Sequence, residues 1–213
     1  YTVNPYQTAC GAVDIAMHTI ECYFCPGEDT YLTDSIAEAV IKSTRKAAFD
    51  CMKNPDDYTA RANMMWASSL AHNGLTQCGR EFQLVVHQFE HELSGMYPKI
   101  AHGAGLAALW CSWARYVYKA NISRWLQYSA NVWNLDIDYE HPEKTIEEAI
   151  NLQEQYYVSL GMPIGLKALG VEEASLTKLA LNCSRNKTRT LTGYKPLAYD
   201  DILAIYQMAY ERG

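Results

Sequence analysis

The feature that most limits how this 213-residue chain can fold is the way proline punctuates its apolar periodicity. Apolar residues recur every three to four positions over long stretches. Prolines 5, 26, 55, 98, 142, 163 and 196 mostly fall between those stretches, where helices start or stop. In residues 6–24 the spacing of Val13, Ala16, Met17 and Ile20 predicts a first helix. A Ser35-x-x-Glu38 capping box predicts that a second one opens there and runs through Ile36, Ala39, Val40, Ala47 and Phe49. Asn54-Pro55-Asp56-Asp57 reads as the start of a third, over residues 58–75. Further helices are expected over residues 82–96, 102–118, 122–133, 143–160, 172–183 and 199–211. No segment sustains an apolar–polar alternation rich in β-branched residues. The chain therefore reads as one all-α domain, residues 1–213, of eight or nine helices. Hydrophobic residues make up 49% of it, enough for a packed core.

Charge narrows the class of partner. With 18 basic and 24 acidic residues the net charge is −6, which argues against a nucleic-acid-binding surface. The whole excess lies in residues 1–41, where Asp14, Glu21, Glu28, Asp29, Asp34 and Glu38 occur without a single Lys or Arg. Such asymmetry points towards a cation partner. Asp14 is the acid with a case for binding it; the other five are expected on solvated faces or on a surface that meets another domain. The basic stretch 185–195 is expected to be an exposed loop. Seven cysteines at irregular spacing do not make a disulfide framework and suit a reducing cytoplasm. No basic, apolar leader opens the chain, and the uncharged stretch 103–114 is too short to span a bilayer, so no membrane is expected. The N-glycosylation sequons at Asn121, Asn182 and Asn186 then read as chance matches. A start at Tyr1 rather than Met suggests an excised, mature or truncated chain.

The chemistry concentrates in histidines. Asp14 and His18 stand four apart on the first predicted helix and so share one face. His87 and His91 do the same in His87-Gln88-Phe89-Glu90-His91-Glu92-Leu93, and His102 follows eleven residues later. Neutral imidazoles with a carboxylate suit Zn(II), Fe(II) or a related borderline cation rather than Ca(II) or Mg(II). The competing reading is a set of capping and core histidines. A rival motif uses the same letters: His87-x-x-Glu90-His91 fits an inverted zinc-peptidase pattern, which leaves Asp14, His18 and His102 without a role. Gly103-Ala104-Gly105-Leu106-Ala107-Ala108 superficially fits a dinucleotide fingerprint. No strand precedes it, so it reads instead as a tight lead into the next helix. Cys22-x-x-Cys25, without a second pair, reads as two small apolar residues at a helix end.

Taken together these residues resemble the iron-dependent (group III) alcohol dehydrogenases, particularly their butanol-dehydrogenase-like branch. The matching text is Gly11-Ala12-Val13-Asp14-Ile15-Ala16-Met17-His18-Thr19-Ile20-Glu21, then Asn63-Met64-Met65-Trp66-Ala67 and Asn73-Gly74-Leu75. It continues in His87-Gln88-Phe89-Glu90-His91-Glu92-Leu93-Ser94-Gly95-Met96-Tyr97 and Ala101-His102-Gly103-Ala104-Gly105-Leu106. The resemblance implies the C-terminal helical domain of a dehydroquinate synthase-like fold, without the N-terminal nucleotide-binding α/β domain. The family's Gly-Gly-Gly-Ser phosphate turn is absent from this sequence.

The resemblance also implies Asp14, His18, His87 and His102 as metal ligands, and His91 as the residue near nicotinamide and substrate that takes part in proton transfer. The lead from Tyr97 to His102 is one residue longer than in many members of the family. The implied metal is Fe(II), with Zn(II) or Ni(II) as alternatives, and the implied cofactor is NAD or NADP, held mainly by the other domain. The implied substrates are small alcohols and aldehydes: the metal polarises the substrate oxygen while hydride passes to or from nicotinamide. A homodimer of the full-length protein is compatible with this. The domain by itself is expected to bind metal without catalysing. The other classes to set against this are a zinc peptidase built on His87, Glu90 and His91, and a helical interaction module with structural histidines.

Overall fold

The computed structural model describes residues 1–212. Among them the chain forms nine α-helices: α1 Pro5–Tyr23, α2 Tyr31–Lys53, α3 Tyr58–His72, α4 Val85–Met96, α5 His102–Val117, α6 Ile122–Trp133, α7 Pro142–Ser159, α8 Leu176–Cys183 and α9 Tyr199–Glu211. Extended pairing among the described residues is limited to the isolated bridges Gly27–Arg80 and Leu191–Leu197. Among the described residues no helix is long and apolar enough to cross a membrane.

Helix α5 is the axis of the domain. Every residue from Gly103 to Ala114 is buried, and the helix packs against α1, α4, α7 and α9. A helix apolar on all sides belongs in a core, which explains an uncharged stretch too short for a bilayer. Its two N-terminal glycines are required by that packing. A Cβ on Gly103 would overlap the Cys10 carbonyl of α1, and one on Gly105 would lie 2.7 Å from a carboxylate oxygen of Glu90 on α4. The dinucleotide-like glycines thus let three helices approach closely. Deeper in the core, Phe24 stacks on Trp125 at 4.0 Å, with Trp110, Trp113 and Tyr128 around the pair.

Several boundaries follow the expected signals. Asn4 caps α1 by accepting from Gln7 N at 2.9 Å, with Pro5 as first helical residue. Asp57 caps α3 by accepting from Ala60 N at 3.0 Å. Three starts differ from expectation, one of them α8, which begins at Leu176 rather than residue 172 after a single 3-10 turn at Glu173–Ser175. Helix α2 begins at Tyr31, a turn ahead of Ser35, whose hydroxyl instead donates back to Tyr31 O at 3.0 Å. Thr30 takes the capping position there and donates to Asp34 Oδ1 at 3.1 Å. Helix α4 begins at Val85 rather than residue 82 because the preceding backbone is used elsewhere: Glu81 N donates to Pro26 O at 2.8 Å, and Gln83 N to Cys25 Sγ at 3.2 Å.

The expectation of solvated acids in residues 15–41 holds only in part. Glu28 and Asp29 are exposed. Glu21, Asp34 and Glu38 are buried, because each has found hydrogen-bond donors in the fold. Cys22 and Cys25 are buried free thiols, and burial raises both above the usual thiol range, to about 11 and about 12. That suits apolar packing and not redox exchange.

Candidate metal centre

Three helices deliver the predicted ligands to one place. Helix α1 carries Asp14 and His18 one turn apart, α4 carries His87 in its first turn, and His102 is the first residue of α5. The Nε2 atoms of His87, His102 and His18 lie 3.3, 3.4 and 3.6 Å from the same oxygen, Asp14 Oδ1. Donors bound tetrahedrally to one cation at about 2.1 Å stand about 3.4 Å from one another. The spacing from Asp14 therefore fits a shared divalent ion, and the imidazole–carboxylate donor set fits a borderline transition metal. The lead into α5 is tied down at both ends. Ile100 N donates to Tyr97 O at 3.0 Å, closing a turn, and the Tyr97 hydroxyl donates to Ser175 Oγ at 2.7 Å.

Behind the ligands stand two carboxylates whose roles the sequence did not disclose. Glu21 is 3% exposed and Glu90 fully buried. Glu21 accepts from His87 N at 3.2 Å, from Val86 N, and from His87 Nδ1. It caps the open N-terminus of α4 from a neighbouring helix and, with the same oxygens, fixes the His87 ring. Glu90 accepts from His102 Nδ1 and from the Ser94 hydroxyl. In both pairs the carboxylate holds the proton on Nδ1 and turns Nε2 towards Asp14, the arrangement by which outer carboxylates orient metal-binding histidines. The signals were present: Glu21 is seven residues after Asp14 and shares its helix face, and Glu90 is three after His87.

This geometry removes the peptidase reading. Glu90 is engaged by His102 and Ser94, leaving it no access to activate water. His87 and His91 share no three-donor cluster among the described residues, whereas Asp14, His87 and His102 do. His91 is exposed on α4, with its ring stacked 5.6 Å from His102 and edge-on to His87 at 6.1 Å. His72, the last residue of α3, also reaches the centre, its ring 4.0 Å from His18.

The electrostatics favour a cation here. Burial opposes ionisation of Asp14, but hydrogen bonds from His102 and His87 outweigh it and hold the carboxyl well below the usual range. Burial likewise opposes charge on His87, yet Asp14 and Glu21 raise it to about 9. Asp14 and Glu90 raise His102 to about 10. His18, half-buried and facing His87, is pushed down to about 4 by desolvation and the neighbouring imidazole and stays a neutral lone-pair donor.

An all-α domain that gathers one aspartate and three histidines around a common point defines a class, a helical transition-metal-binding domain. The profile of the Fe-containing alcohol dehydrogenase family, C-terminal, matches residues 8–210. This chain belongs to that family and corresponds to its C-terminal domain. It is 39% identical over 211 residues to NADH-dependent butanol dehydrogenase A of Clostridium acetobutylicum, a match covering 99% of this chain and 54% of that one. NADH-dependent butanol dehydrogenase A of Thermotoga maritima superposes with a TM-score of 0.90 at 31% identity, over 98% of this chain and 53% of that structure. The Escherichia coli aldehyde reductase YqhD, in its substrate- and cofactor-free form, superposes with a TM-score of 0.91 at 28% identity, over 98% of this chain and 54% of that one. The chain thus spans about half the length of these relatives.

Proposed function

We propose that this chain is the metal-holding half of an NAD(P)-dependent alcohol dehydrogenase that interconverts small primary alcohols and aldehydes. The observation that carries the reading is the convergence of three imidazole Nε2 atoms on Asp14 Oδ1 at 3.3 to 3.6 Å. The names of the relatives, NADH-dependent butanol dehydrogenases and an NADPH-dependent aldehyde reductase, supply the substrate and cofactor classes. Asp14, His18, His87 and His102 would hold the ion, Fe(II) with Zn(II) or Ni(II) as alternatives. When bound, the ion supplies Lewis-acid polarisation of a substrate oxygen, and nicotinamide supplies the hydride chemistry.

The chain's own residues do the rest. Glu21 and Glu90 fix the Nδ1 proton and ring orientation of His87 and His102, so an incoming ion has only to displace the Nε2 protons. The half-open setting, with Asp14 31% and His102 37% exposed on their side chains, leaves one side for substrate. His91, exposed beside His102, is placed to pass the hydroxyl proton to solvent. The nicotinamide platform would be an α/β domain outside these residues, in a cytoplasmic protein that forms a homodimer at full length.

The test has two arms. The intact protein, loaded with Fe(II) or Zn(II) under reducing conditions, should reduce NAD(P) with a primary alcohol, and His91→Ala should lower that rate by about 10²–10⁴-fold while keeping the metal. The 213-residue chain alone should bind metal and show no turnover. Turnover by this chain alone would overturn the division of labour, and a protein that takes up no transition metal would leave only a helical module with structural histidines.

A further inference from the structure

Five histidine rings follow one another in a row: His91, His102, His87, His18 and His72, with successive centroids 5.6, 5.2, 4.2 and 4.0 Å apart. The middle three belong to the ligand set proposed above, and the two at the ends are exposed. The metal centre is thus flanked at either end of the row by a histidine that does not hold the ion. His91 already has a part, in proton transfer. His72, the last residue of α3, has none.

The hydrogen bonding of His72 defines what it can offer. Its Nδ1 lies 2.8 Å from Ser68 O, one turn back on the same helix, which fixes the ring. A carbonyl can only accept, so Nδ1 carries a proton, and in the neutral ring the free lone pair is on Nε2. One ring nitrogen of His72 lies within 4.8 Å of both a carboxylate oxygen of Asp14 and a ring nitrogen of His18. His72 therefore borders the space where a substrate oxygen would sit. An alkyl group pressed against Nε2 would displace its water and give nothing back, whereas a hydroxyl would replace that water with a hydrogen bond. Among small alcohols and aldehydes, such a neighbour suits one that carries a second hydroxyl close to the reacting carbon.

We propose that His72 is a specificity-determining residue of this centre: it accepts a hydrogen bond from a second hydroxyl, on C2 or C3 of the substrate, and so favours diols and hydroxyaldehydes over their unsubstituted counterparts. This rests on the dehydrogenase reading above and narrows its substrate class. Asp14, His18, His87 and His102 keep the ion, and His91 keeps the proton path. His72 selects between substrates and serves neither of those tasks. Its exposed setting keeps the preference modest, since water competes for the same lone pair.

The experiment compares propane-1,3-diol with 1-propanol in the intact protein loaded with Fe(II) or Zn(II) under reducing conditions. The kcat/KM ratio of diol to propanol should fall by about 3–10-fold from wild type to His72→Leu. His72→Gln, whose amide oxygen can accept the same bond, should restore most of it. Because His72 is exposed, its replacement leaves the core intact. A second readout is independent of turnover. In the Co(II)-loaded protein, the diol-induced change in the visible spectrum should need about 3–10-fold more diol in His72→Leu, with metal affinity by chelator competition as in wild type. An unchanged ratio in His72→Leu overturns the role of His72 and leaves the dehydrogenase reading standing. So does a loss of metal affinity with an equal fall on both alcohols, which would make His72 a support for His18. Oxidation of neither alcohol by wild type overturns both.

Discussion

Asp14 on α1 and Asp34 and Glu38 on α2 belong to two clusters built on opposite principles, the first half-open and the second buried. In one, Asp34 accepts from Arg124 Nη2 at 2.8 Å and Gln127 Nε2 at 3.0 Å, and pairs with Arg80 as well. Glu38 beside it accepts from the Tyr23 hydroxyl at 2.8 Å and from Asn131 Nδ2 at 2.9 Å, while the Arg124 guanidinium lies 4.0 Å over the Tyr23 ring. The two acids are matched there by two guanidinium groups, both oxygens of Asp34 have donors, and Glu38 Oε1 accepts from three neutral side chains. In the other, Asp14 faces three imidazole nitrogens and no Lys or Arg contacts it among the described residues. A cluster that is neutral within itself cements helices. A cluster of Lewis bases aimed at one another is complete only with a cation among them.

The sharpest way to break this contrast is to remove one member from each cluster and read both stability and metal content. Asp34→Ala strands two buried guanidinium groups and should cost about 3–5 kcal/mol, measured by denaturant unfolding, with metal uptake per folded chain unchanged. Asp14→Ala should do the reverse. It removes a partly exposed acid, so stability of the metal-free protein should change little, while metal affinity falls by more than the about 10–100-fold that outer-shell changes produce. If Asp14→Ala unfolds the protein as severely as Asp34→Ala, the two clusters are of one kind and the contrast fails.

An intermediate effect belongs to the groups that link the two principles, the buried carboxylates behind the ligands. Glu90→Gln preserves shape and the Ser94 contact but replaces the anionic acceptor of His102 Nδ1 with a neutral one. Metal affinity should fall by about 10–100-fold, read by chelator competition, with little change in the unfolding midpoint. An affinity equal to wild type would mean that Glu90 serves packing alone.

How much of this was legible beforehand follows the same division. Helices α1, α5 and α6 and the pairing of Asp14 with His18 on one helix face could be read directly, since periodicity, caps and i,i+4 spacing are local properties of the chain. What could not be read was set by contacts distant in sequence. The α4 start was displaced by pairing with the segment after α1. Ser35 lost its capping role because Thr30 and Asp34 start α2 a turn earlier. Glu21, Asp34 and Glu38 looked like surface acids because their donors, Val86, Arg124 and Asn131, lie 65, 90 and 93 residues away. Gly105 carried a visible hint, but its reason, room for the Glu90 carboxylate, exists only once α4 and α5 meet.

The smallest expected effect separates the clusters by acid. Burial raises the Asp34 carboxyl, but the hydrogen bonds from Arg124 and Gln127 and the nearby guanidinium charges prevail and hold it at about 2. An unfolded aspartate titrates near about 3.9. A group depressed on folding contributes stability that is fully present above its unfolded pKa and disappears as pH falls through its folded one. The Asp34 contribution should therefore persist at neutral pH and fade between about pH 4 and pH 2. Urea midpoints measured across that window should fall more steeply for wild type than for Asp34→Asn, which has no proton to gain there. Parallel slopes would show that the Arg124–Asp34 pair does not set acid sensitivity, and that the closed cluster holds its helices by packing and hydrogen bonds rather than by charge.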